Sequence, residues 1–282
     1  MLKHGDVANF ENNWVKRQEK LGNWFCKAEP ENQIQFAFQQ HWFFIQQVID
    51  IPAQGKVLEV GCGRGSISSF FAENGYQVSL LDISASIIKD AQKIFENNGH
   101  AEKAEFIVGD ANKLPYPDNV FDVTISIGLL EHFDNVDKVI SEQIRVLKKG
   151  GVFIAYVVPE KRSIQNIFNP LNSLLRLFAA LLGRNSQKKN KAALFRTRHG
   201  SMYYEEALRK LGQTDVHSSG VYPFPAISHS PEFPFSLMPR PFERLLVAIF
   251  KVFLRLRGRK NRYPWACSEK WGQTFFVWCR KQ

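Results

Sequence analysis

Residues 57–65, which read VLEVGCGRG, decide the fold of this chain of 282 residues. A short apolar run leads into glycines at alternate positions, and residues 66–73 continue with the pattern of a helix. Glycine lets the backbone turn tightly and lets a ligand approach where a side chain would collide. A strand, a glycine turn and a helix in this order are typical of a nucleotide-binding unit in an α/β fold.

Alternating strand and helix patterns continue on the carboxyl side of this stretch. The predicted strands are 57–60, 77–81, 105–108, 121–127, 152–158, 215–221 and 274–279. The predicted helices between them are 66–73, 84–97, 136–147, 203–211 and 242–257. Because parallel neighbours need crossover connections, this alternation predicts an α/β fold with a largely parallel sheet and helices on both faces.

Two flanking features complete the predicted organisation. Residues 1–50 are predicted to form a helical cover, since apolar residues at 34, 38, 42, 45 and 49 follow a helical period. Residues 51–282 form the α/β domain, with insertions at about 160–200 and 222–268. The first insertion contains the apolar run 171–182 and a polar, basic run, and the second begins with a loop rich in proline and aromatic residues. Both are expected to cover the carboxyl edge of the sheet as a substrate lid.

Two carboxylates near the glycine turn indicate which ligand it binds. Asp82 follows the second strand, 21 residues after Gly61, where it can accept both hydroxyls of a ribose. A dinucleotide loop would carry Gly or Ala where this chain has Ser66. Glu59 precedes the first glycine by two residues and would repel a diphosphate, but it favours a ligand with an ammonium and a sulfonium.

Further residues at the ends of the third and fourth predicted strands fit the same ligand. Asp110 could accept the exocyclic amine of adenine, although a turn or capping role is nearly as good an interpretation of it alone. The carbonyls in Ser126-Ile127-Gly128 could receive the amino group of a methionine moiety.

At this level the chain resembles the class I S-adenosylmethionine-dependent methyltransferases, especially the bacterial group acting on small molecules and quinones. The resemblance rests on VLEVGCGRG, LLDIS, VGDANKLPYPDNVFDVTIS, GLLEHF and RVLKKGG, which occur in order between about residues 56 and 158, with a weaker echo in FFVWCRK. It implies a Rossmann-like sheet of seven strands whose last strand, 274–279, is antiparallel. Lys149 departs from the family, which often has proline there.

The resemblance also implies roles for individual residues, with S-adenosylmethionine as the cofactor and S-adenosylhomocysteine as the product. Glu59, Gly61 and Gly63 would cradle the methionine part, with Cys62 and Gly65 in the same loop. Asp82 would hold the ribose, Ile83 would pack on the adenine, and Asp110 with Ala111 would read its edge. Cys62 is interpreted as a small buried filler rather than a nucleophile, because no neighbouring base is evident.

A general base is harder to identify, and alignment of the reactants supplies most of the acceleration in such a transfer. The best candidate is His132, in the loop after the fourth strand, although it could equally fix that loop. His229 and Tyr203 are further candidates, as are the neighbouring His199 and Tyr204. No metal site is expected, because the four cysteines have no metal-ligand spacing.

The net charge of +10 is concentrated late in the chain: residues 161–210 carry +9 and residues 240–262 carry +7. Such segments attract anionic partners, or they form a solvated face. The helix at 242–257 has a basic amphipathic pattern compatible with an anionic membrane surface. It could instead be a lid helix that covers the core of its own chain or a second subunit. The second of these alternatives would make the protein a homodimer.

These observations predict a methyltransferase acting on a hydrophobic small molecule, which could be anionic or lipid-like. One alternative is an RNA or DNA methyltransferase, which is disfavoured because Gly-Leu-Leu-Glu, not Asn/Asp-Pro-Pro-Tyr, follows the fourth strand. Another is a non-catalytic S-adenosylmethionine-binding protein. The N-terminal residues MLKHGDVANF lack the apolar core of a secretion signal, and no apolar run reaches membrane-spanning length. A cytoplasmic protein is therefore expected, and peripheral association with a membrane stays open.

Overall fold

The computed structural model describes residues 24–160, 196–222, 240–260, 262–270, 272 and 274–282. Within them eight strands form one sheet: β1 Lys56–Val60, β2 Gln77–Asp82, β3 Ala104–Val108, β4 Phe121–Ile127, β5 Leu147–Val157, β6 Val216–Val221, β7 Ala266–Cys267 and β8 Thr274–Arg280. The α-helices of the same residues are α1 Gln33–Phe44, α2 Ser66–Glu73, α3 Ala85–Asn97, α4 Asp137–Val146, α5 Ser201–Lys210 and α6 Arg240–Gly258.

The sheet has the strand order β3-β2-β1-β4-β5-β8-β6-β7. The first five strands in this order are parallel, and β8 pairs antiparallel with both β5 and β6. The predicted Rossmann-like α/β fold with an antiparallel last strand is therefore confirmed. The expectation of seven strands is corrected to eight among the described residues, because the two-residue strand β7 adds to the edge of β6.

Two layers of apolar side chains cover the sheet, one on each face. One layer joins α1, α2, α3 and α6 to the strands, and the other joins α4 and α5 to them. The alternation along β5 shows the division, since Ile154 and Tyr156 face the first layer while Phe153 and Ala155 face the second. Burial on both faces explains why the central strands read as continuous apolar runs.

Helix α1 begins at the N-cap Asn32, whose side chain accepts a hydrogen bond from the amide of Gln35. It continues into a π-helical turn at Ile45–Ile49, which ends at Asp50 with a left-handed backbone. Trp42 packs edge-on against Phe71 of α2, with ring centroids 4.9 Å apart. The helix predicted from the apolar residues at 34, 38, 42, 45 and 49 therefore exists, and it lies on the sheet face that also carries α2 and α3.

The structure changes one predicted boundary appreciably. Strand β5 begins at Leu147 rather than at residue 152, because Leu147 pairs with Phe121 before a register shift carries the ladder to Val152. The residues between them include Gly150, whose φ of 75° suits glycine. The apolar run at 171–182 and most of the first insertion lie outside the described residues.

Candidate functional site

The loops that carry the predicted site residues lie at one edge of the sheet. Strands β1 to β5 are parallel, so the segments that follow them leave from the same side. The strand order reverses between β1 and β4, and ligands of open α/β sheets bind at such a switch point. The loops after these two strands meet there: a Cβ on Gly61 would lie 2.7 Å from Cδ1 of Leu129.

The glycine loop turns through left-handed backbone conformations. Gly61, Gly63 and Gly65 have φ values of 69°, 52° and 64°. The amides of Gly61 and Cys62 both donate to the carbonyl of Leu81, at 2.8 and 3.0 Å, which ties the loop to β2. Gly65 is the N-cap of α2, so the loop delivers the chain directly to a helix N-terminus. The predicted strand, turn and helix are therefore all present.

Asp82 ends β2 and holds two backbone segments together. Its Oδ2 accepts from the amide of Gly63 at 3.1 Å, and its Oδ1 accepts from the amide of Ser84 at 3.1 Å. The side chain is buried. Each carboxylate oxygen has a second lone pair, so the group can accept further hydrogen bonds while it keeps the loop in place.

Glu59 lies beneath the loop with its side chain fully buried. Its Oε2 accepts from the hydroxyl of Ser68 at 2.5 Å and from the amide of Ser68 at 3.2 Å, in the first turn of α2. Burial raises the pKa of Glu59 to about 8, against the opposing effect of these hydrogen bonds, and the nearby Asp82 raises it further. A cation placed beside this carboxyl would favour its ionised form.

Cys62, also in the loop, is buried and has no disulfide. Burial raises the pKa of its thiol well above the ordinary value, and the neighbouring carboxyls of Asp82 and Glu59 act in the same direction. A thiol in this state is a poor nucleophile. The structure therefore supports the interpretation of Cys62 as a small buried filler.

The loops after β2 and β3 present a mixture of apolar and acidic groups. Ile83 is 39% exposed and Ala111 is buried. Asp110 is exposed, and its Oδ1 accepts from both the amide and the side-chain nitrogen of Asn112, at 2.9 and 2.8 Å. Asp110 thus has the turn role that was weighed for it, while its second oxygen, Oδ2, is available to a ligand.

The end of β4 contains a buried hydroxyl with no partner. Among the described residues, Oγ of Ser126 makes no hydrogen bond although the residue is only 1% exposed. Ile127 ends the strand and is half-buried. Gly128 follows with a φ of 69° and donates its amide to the carbonyl of Tyr156 at 2.8 Å.

Glu131 is a candidate site residue that the sequence analysis does not identify. Its side chain is 1% exposed, and neither carboxylate oxygen has a hydrogen-bond partner within the part of the chain that is described. Burial raises its pKa to about 7, opposed by nearby backbone amides and by the charge of Arg196. A Cβ on Gly128 would lie 3.5 Å from Oε1 of Glu131, so the carboxyl is beside the turn that ends β4. No sequence pattern separates this glutamate from a surface one, because only burial distinguishes them.

The predicted bases have different positions. His132 closes the short 3₁₀ turn Leu130–His132, next to Glu131, and is half-buried. Tyr203 donates its hydroxyl to the carbonyl of Asp134 at 3.2 Å and stacks on the exposed His199, with ring centroids 4.0 Å apart.

The two remaining candidates add little at this edge. The hydroxyl of Tyr204 is buried and pairs with that of Thr197 at 3.2 Å. His229 lies outside the described residues.

The first insertion leaves and rejoins the fold at one point beside Glu131. The amide of Glu160 donates to the carbonyl of Thr197 at 2.9 Å, and the amide of Thr197 donates to the carbonyl of Glu131 at 2.8 Å. Arg198 forms an ion pair with Glu160 at 3.7 Å. The ends of the insertion are therefore fastened to each other and to the loop after β4.

Comparison with known proteins shows which family and which relatives the core of this chain is similar to. Residues 58–155 match a family model described as methyltransferase domain. Sterol 24-C-methyltransferase ERG6B of Gibberella zeae is 34% identical over 133 residues, 47% of this chain and 35% of that protein. The ubiquinone/menaquinone biosynthesis C-methyltransferase UbiE of Ectopseudomonas oleovorans is 37% identical over 113 residues, 38% of this chain and 65% of that protein. The chain thus spans about a third to two thirds of the length of these two relatives.

Solved structures agree with the fold over nearly the whole chain. The [4+2]-cyclase SpnF aligns with a TM-score of 0.57 and 18% identity, covering 98% of this chain and 96% of that one. A putative sarcosine dimethylglycine methyltransferase from Galdieria sulphuraria aligns with a TM-score of 0.56 and 16% identity, covering 98% of each chain. The sheet order and the glycine loop agree with a Rossmann-like methyltransferase fold, and residues 58–155 match the family described as methyltransferase domain. The matched stretch covers about a third of the chain.

Proposed function

We propose that this protein transfers a methyl group from S-adenosylmethionine to a hydrophobic small molecule. The observation that carries the proposal is the pair of buried carboxyl groups, Glu59 and Asp82, on either side of a left-handed glycine loop. One carboxyl suits the cationic part of the cofactor and the other suits a ribose. A diphosphate in the same place would face two acidic side chains.

The chain offers a complete set of groups for this cofactor. Glu59, with Gly61, Cys62, Gly63 and Gly65 around it, holds the methionine part. The remaining cofactor residues are Asp82 for the ribose, Ile83 for a face of the adenine, Asp110 with Ala111 for its edge, and Ser126, Ile127 and Gly128 for the amino group. The exposure of Ile83 supports this assignment, because an apolar side chain at the edge of the site can pack on a purine.

The cofactor supplies an activated methyl group, and the residues of the chain provide alignment and proton removal. Where the acceptor must lose a proton, Glu131 is the group we assign to take it. Its carboxyl lies beside Gly128 at the end of β4, it has no partner among the described residues, and its pKa of about 7 suits proton transfer near neutral pH. His132 is the alternative base, since it is adjacent and only half-buried.

A hydrophobic acceptor is supported by the relatives, which are named as sterol and quinone methyltransferases. The fold alone would not decide the matter, because SpnF has this fold and is named as a cyclase. The two insertions, at about 160–200 and 222–268, are proposed to cover the acceptor. The anchor of the first one, at Glu160 and Thr197 beside Glu131, supports this placement.

Calorimetric titration with S-adenosylhomocysteine, followed by a methyl-transfer assay with sterol, quinone and tRNA acceptors, tests the proposal. Asp82→Ala should weaken binding at least tenfold, since it removes charge-assisted hydrogen bonds worth about 1.5 to 3 kcal/mol. Asp215→Ala is the matched control, because Asp215 is exposed beside His217, just before β6 begins. Equal affinity of all three proteins would refute our placement of the ribose.

The acceptor assay separates the remaining functions. Methyl transfer to a sterol or quinone acceptor is the expected result. Salt-sensitive methylation of tRNA would instead favour the nucleic-acid alternative. Tight binding of S-adenosylhomocysteine without methylation of any acceptor would indicate a non-catalytic binding protein.

A further inference from the structure

Helix α6 has two apolar faces, and the described residues of the protein pack against one of them. Val247 and Leu254 are buried on the inner face, and the ring of Phe250 lies 6.1 Å from that of Phe36 in α1 and 6.0 Å from that of Trp265, centroid to centroid. This face accounts for the packing of α6 on α1.

The outer face of α6 carries large apolar side chains that no described part of the chain covers. Their exposed fractions range from 39% to 56%, and the residues are Phe242, Leu245, Ile249, Val252, Phe253 and Leu256. Successive members are three, four, three, one and three residues apart, so they form one continuous stripe along a helix of 19 residues. A single exposed apolar residue needs no explanation, but a stripe of this length marks an interaction surface.

A row of basic side chains borders this stripe. At 3.6 residues per turn, four basic residues of α6 fall in one arc between the buried face and the exposed stripe. They are Arg240, Arg244, Lys251 and Arg255, and Arg259 follows directly after the end of the helix. Arg244 pairs with Glu31 at 2.7 Å and Lys251 pairs with Glu29, which fastens α6 to the segment before α1. Arg240 and Arg259 make no ion pair with any described residue.

The geometry points to an anionic lipid bilayer as the partner of this face, with α6 lying in the plane of the interface. Apolar side chains would enter the acyl boundary while the basic row meets anionic headgroups, which is how amphipathic helices hold peripheral proteins on membranes. A second copy of the chain is disfavoured because it would bring two basic rows together. Nucleic acid would match the charge but would leave six large apolar side chains in water.

The position of α6 relative to the sheet gives this contact a use. Tyr222 directly follows β6, which is parallel to β5 through β8, so it lies at the same edge as the glycine loop. Its ring packs on Phe253 at 5.3 Å, and the guanidinium of Arg257 lies 5.0 Å above it. A bilayer held against α6 would therefore adjoin the edge where the acceptor enters. The link between the bilayer and the entry of the acceptor rests on the proposed function, whereas the docking of α6 on a bilayer does not.

None of the described helices has the length and hydropathy of a membrane-spanning segment. Docking is therefore tested by co-sedimentation of the full chain with vesicles. Phosphatidylcholine vesicles should bind little protein, and vesicles of equal parts phosphatidylcholine and phosphatidylglycerol should bind at least tenfold more. Raising the salt concentration should weaken the binding, because it screens headgroup charge.

Two variants separate the apolar and the basic contributions. Leu245→Gln with Ile249→Gln should lower the partition coefficient at least tenfold, and Arg240→Gln with Arg259→Gln should lower it severalfold on anionic vesicles alone. Met202→Gln is the matched control, because Met202 is 69% exposed on α5, far along the chain from this stripe, and should bind as the wild type does.

Three results would overturn the inference. These are equal binding of wild type and the Leu245/Ile249 variant, equal binding to both kinds of vesicle, and a stable dimer in sedimentation equilibrium that the same variant dissociates. Cofactor titration of each variant keeps this test separate from the proposed function. Loss of vesicle binding with unchanged affinity for S-adenosylhomocysteine would concern the membrane face alone.

Discussion

Glu59→Gln should make the protein more stable at pH 8 while it weakens the cofactor site. The substitution keeps the size of the side chain and leaves an amide oxygen to accept from Ser68, whose hydroxyl lies 2.5 Å from the carboxylate. It removes the only ionisation that this buried position can undergo. The variant therefore separates the loss of stability caused by burying an ionisable acid from the contribution of that acid to cofactor binding.

The magnitude follows from the raised pKa of Glu59. Burial moves the pKa from 4.5 to about 8, and each pKa unit corresponds to about 1.4 kcal/mol. Between these two pH values the folded state keeps the proton that the unfolded state has lost. The contribution of Glu59 to the free energy of unfolding is therefore fully present below pH 4.5. It falls by up to about 5 kcal/mol as the pH rises to about 8.

Denaturant unfolding at several pH values across this window measures the effect. The difference in free energy of unfolding between Glu59→Gln and wild type should move in favour of the variant as the pH rises. Glu96→Gln serves as the control, because Glu96 is exposed on α3 beside Gln92. A difference that stays constant from pH 5 to pH 8 would refute the reasoning about burial. Separately, the variant should bind S-adenosylhomocysteine about tenfold more weakly, since it cannot pair with an ammonium.

Two further substitutions test other parts of the site. Glu131→Gln should lower kcat about 100-fold or more for an acceptor that loses a proton, and it should leave cofactor affinity unchanged. It should also abolish the rise of kcat/KM with pH through about 7 that the wild type is expected to show. His132→Gln should keep that rise, and the reverse pattern would make His132 the base. Gly65→Ala should lower the free energy of unfolding by about 2 to 4 kcal/mol, because φ is 64° and the new Cβ would lie 2.4 Å from Leu80 and 2.8 Å from Phe95. Gly75→Ala has a φ of 92° but no atom within 4 Å, so it measures backbone strain alone, and equal losses in the two variants would rule out the packing clash.

Much of the fold could be predicted because its core elements follow local patterns. Helix α2 at Ser66–Glu73 and strand β4 at Phe121–Ile127 have the predicted boundaries. Strand β7 could not be predicted, since Ala266–Cys267 is too short to show any periodicity. The early start of β5 depends on pairing of Leu147 with Phe121, which is a tertiary contact.

The candidate site divides in the same way. Spacing along the chain was enough to select Glu59 and Asp82, because glycines and strands fix where their side chains emerge. The sequence does not predict Glu131 as a candidate, since a glutamate next to a histidine gives no sign that it is buried. The amphipathic pattern of α6 could be predicted, but its exposed stripe could not, because the sequence does not say which of two apolar faces meets the core.

The closure of the first insertion, from Glu160 to Thr197, has a consequence for how such enzymes diversify. Both ends of the insertion meet at the backbone hydrogen bonds that Thr197 makes with Glu160 and Glu131. The segment between them can therefore be lengthened, shortened or exchanged at little entropic cost to the rest of the chain. On the proposed function, acceptor preference would then depend on a segment that can be exchanged between relatives without changing the residues assigned to the cofactor.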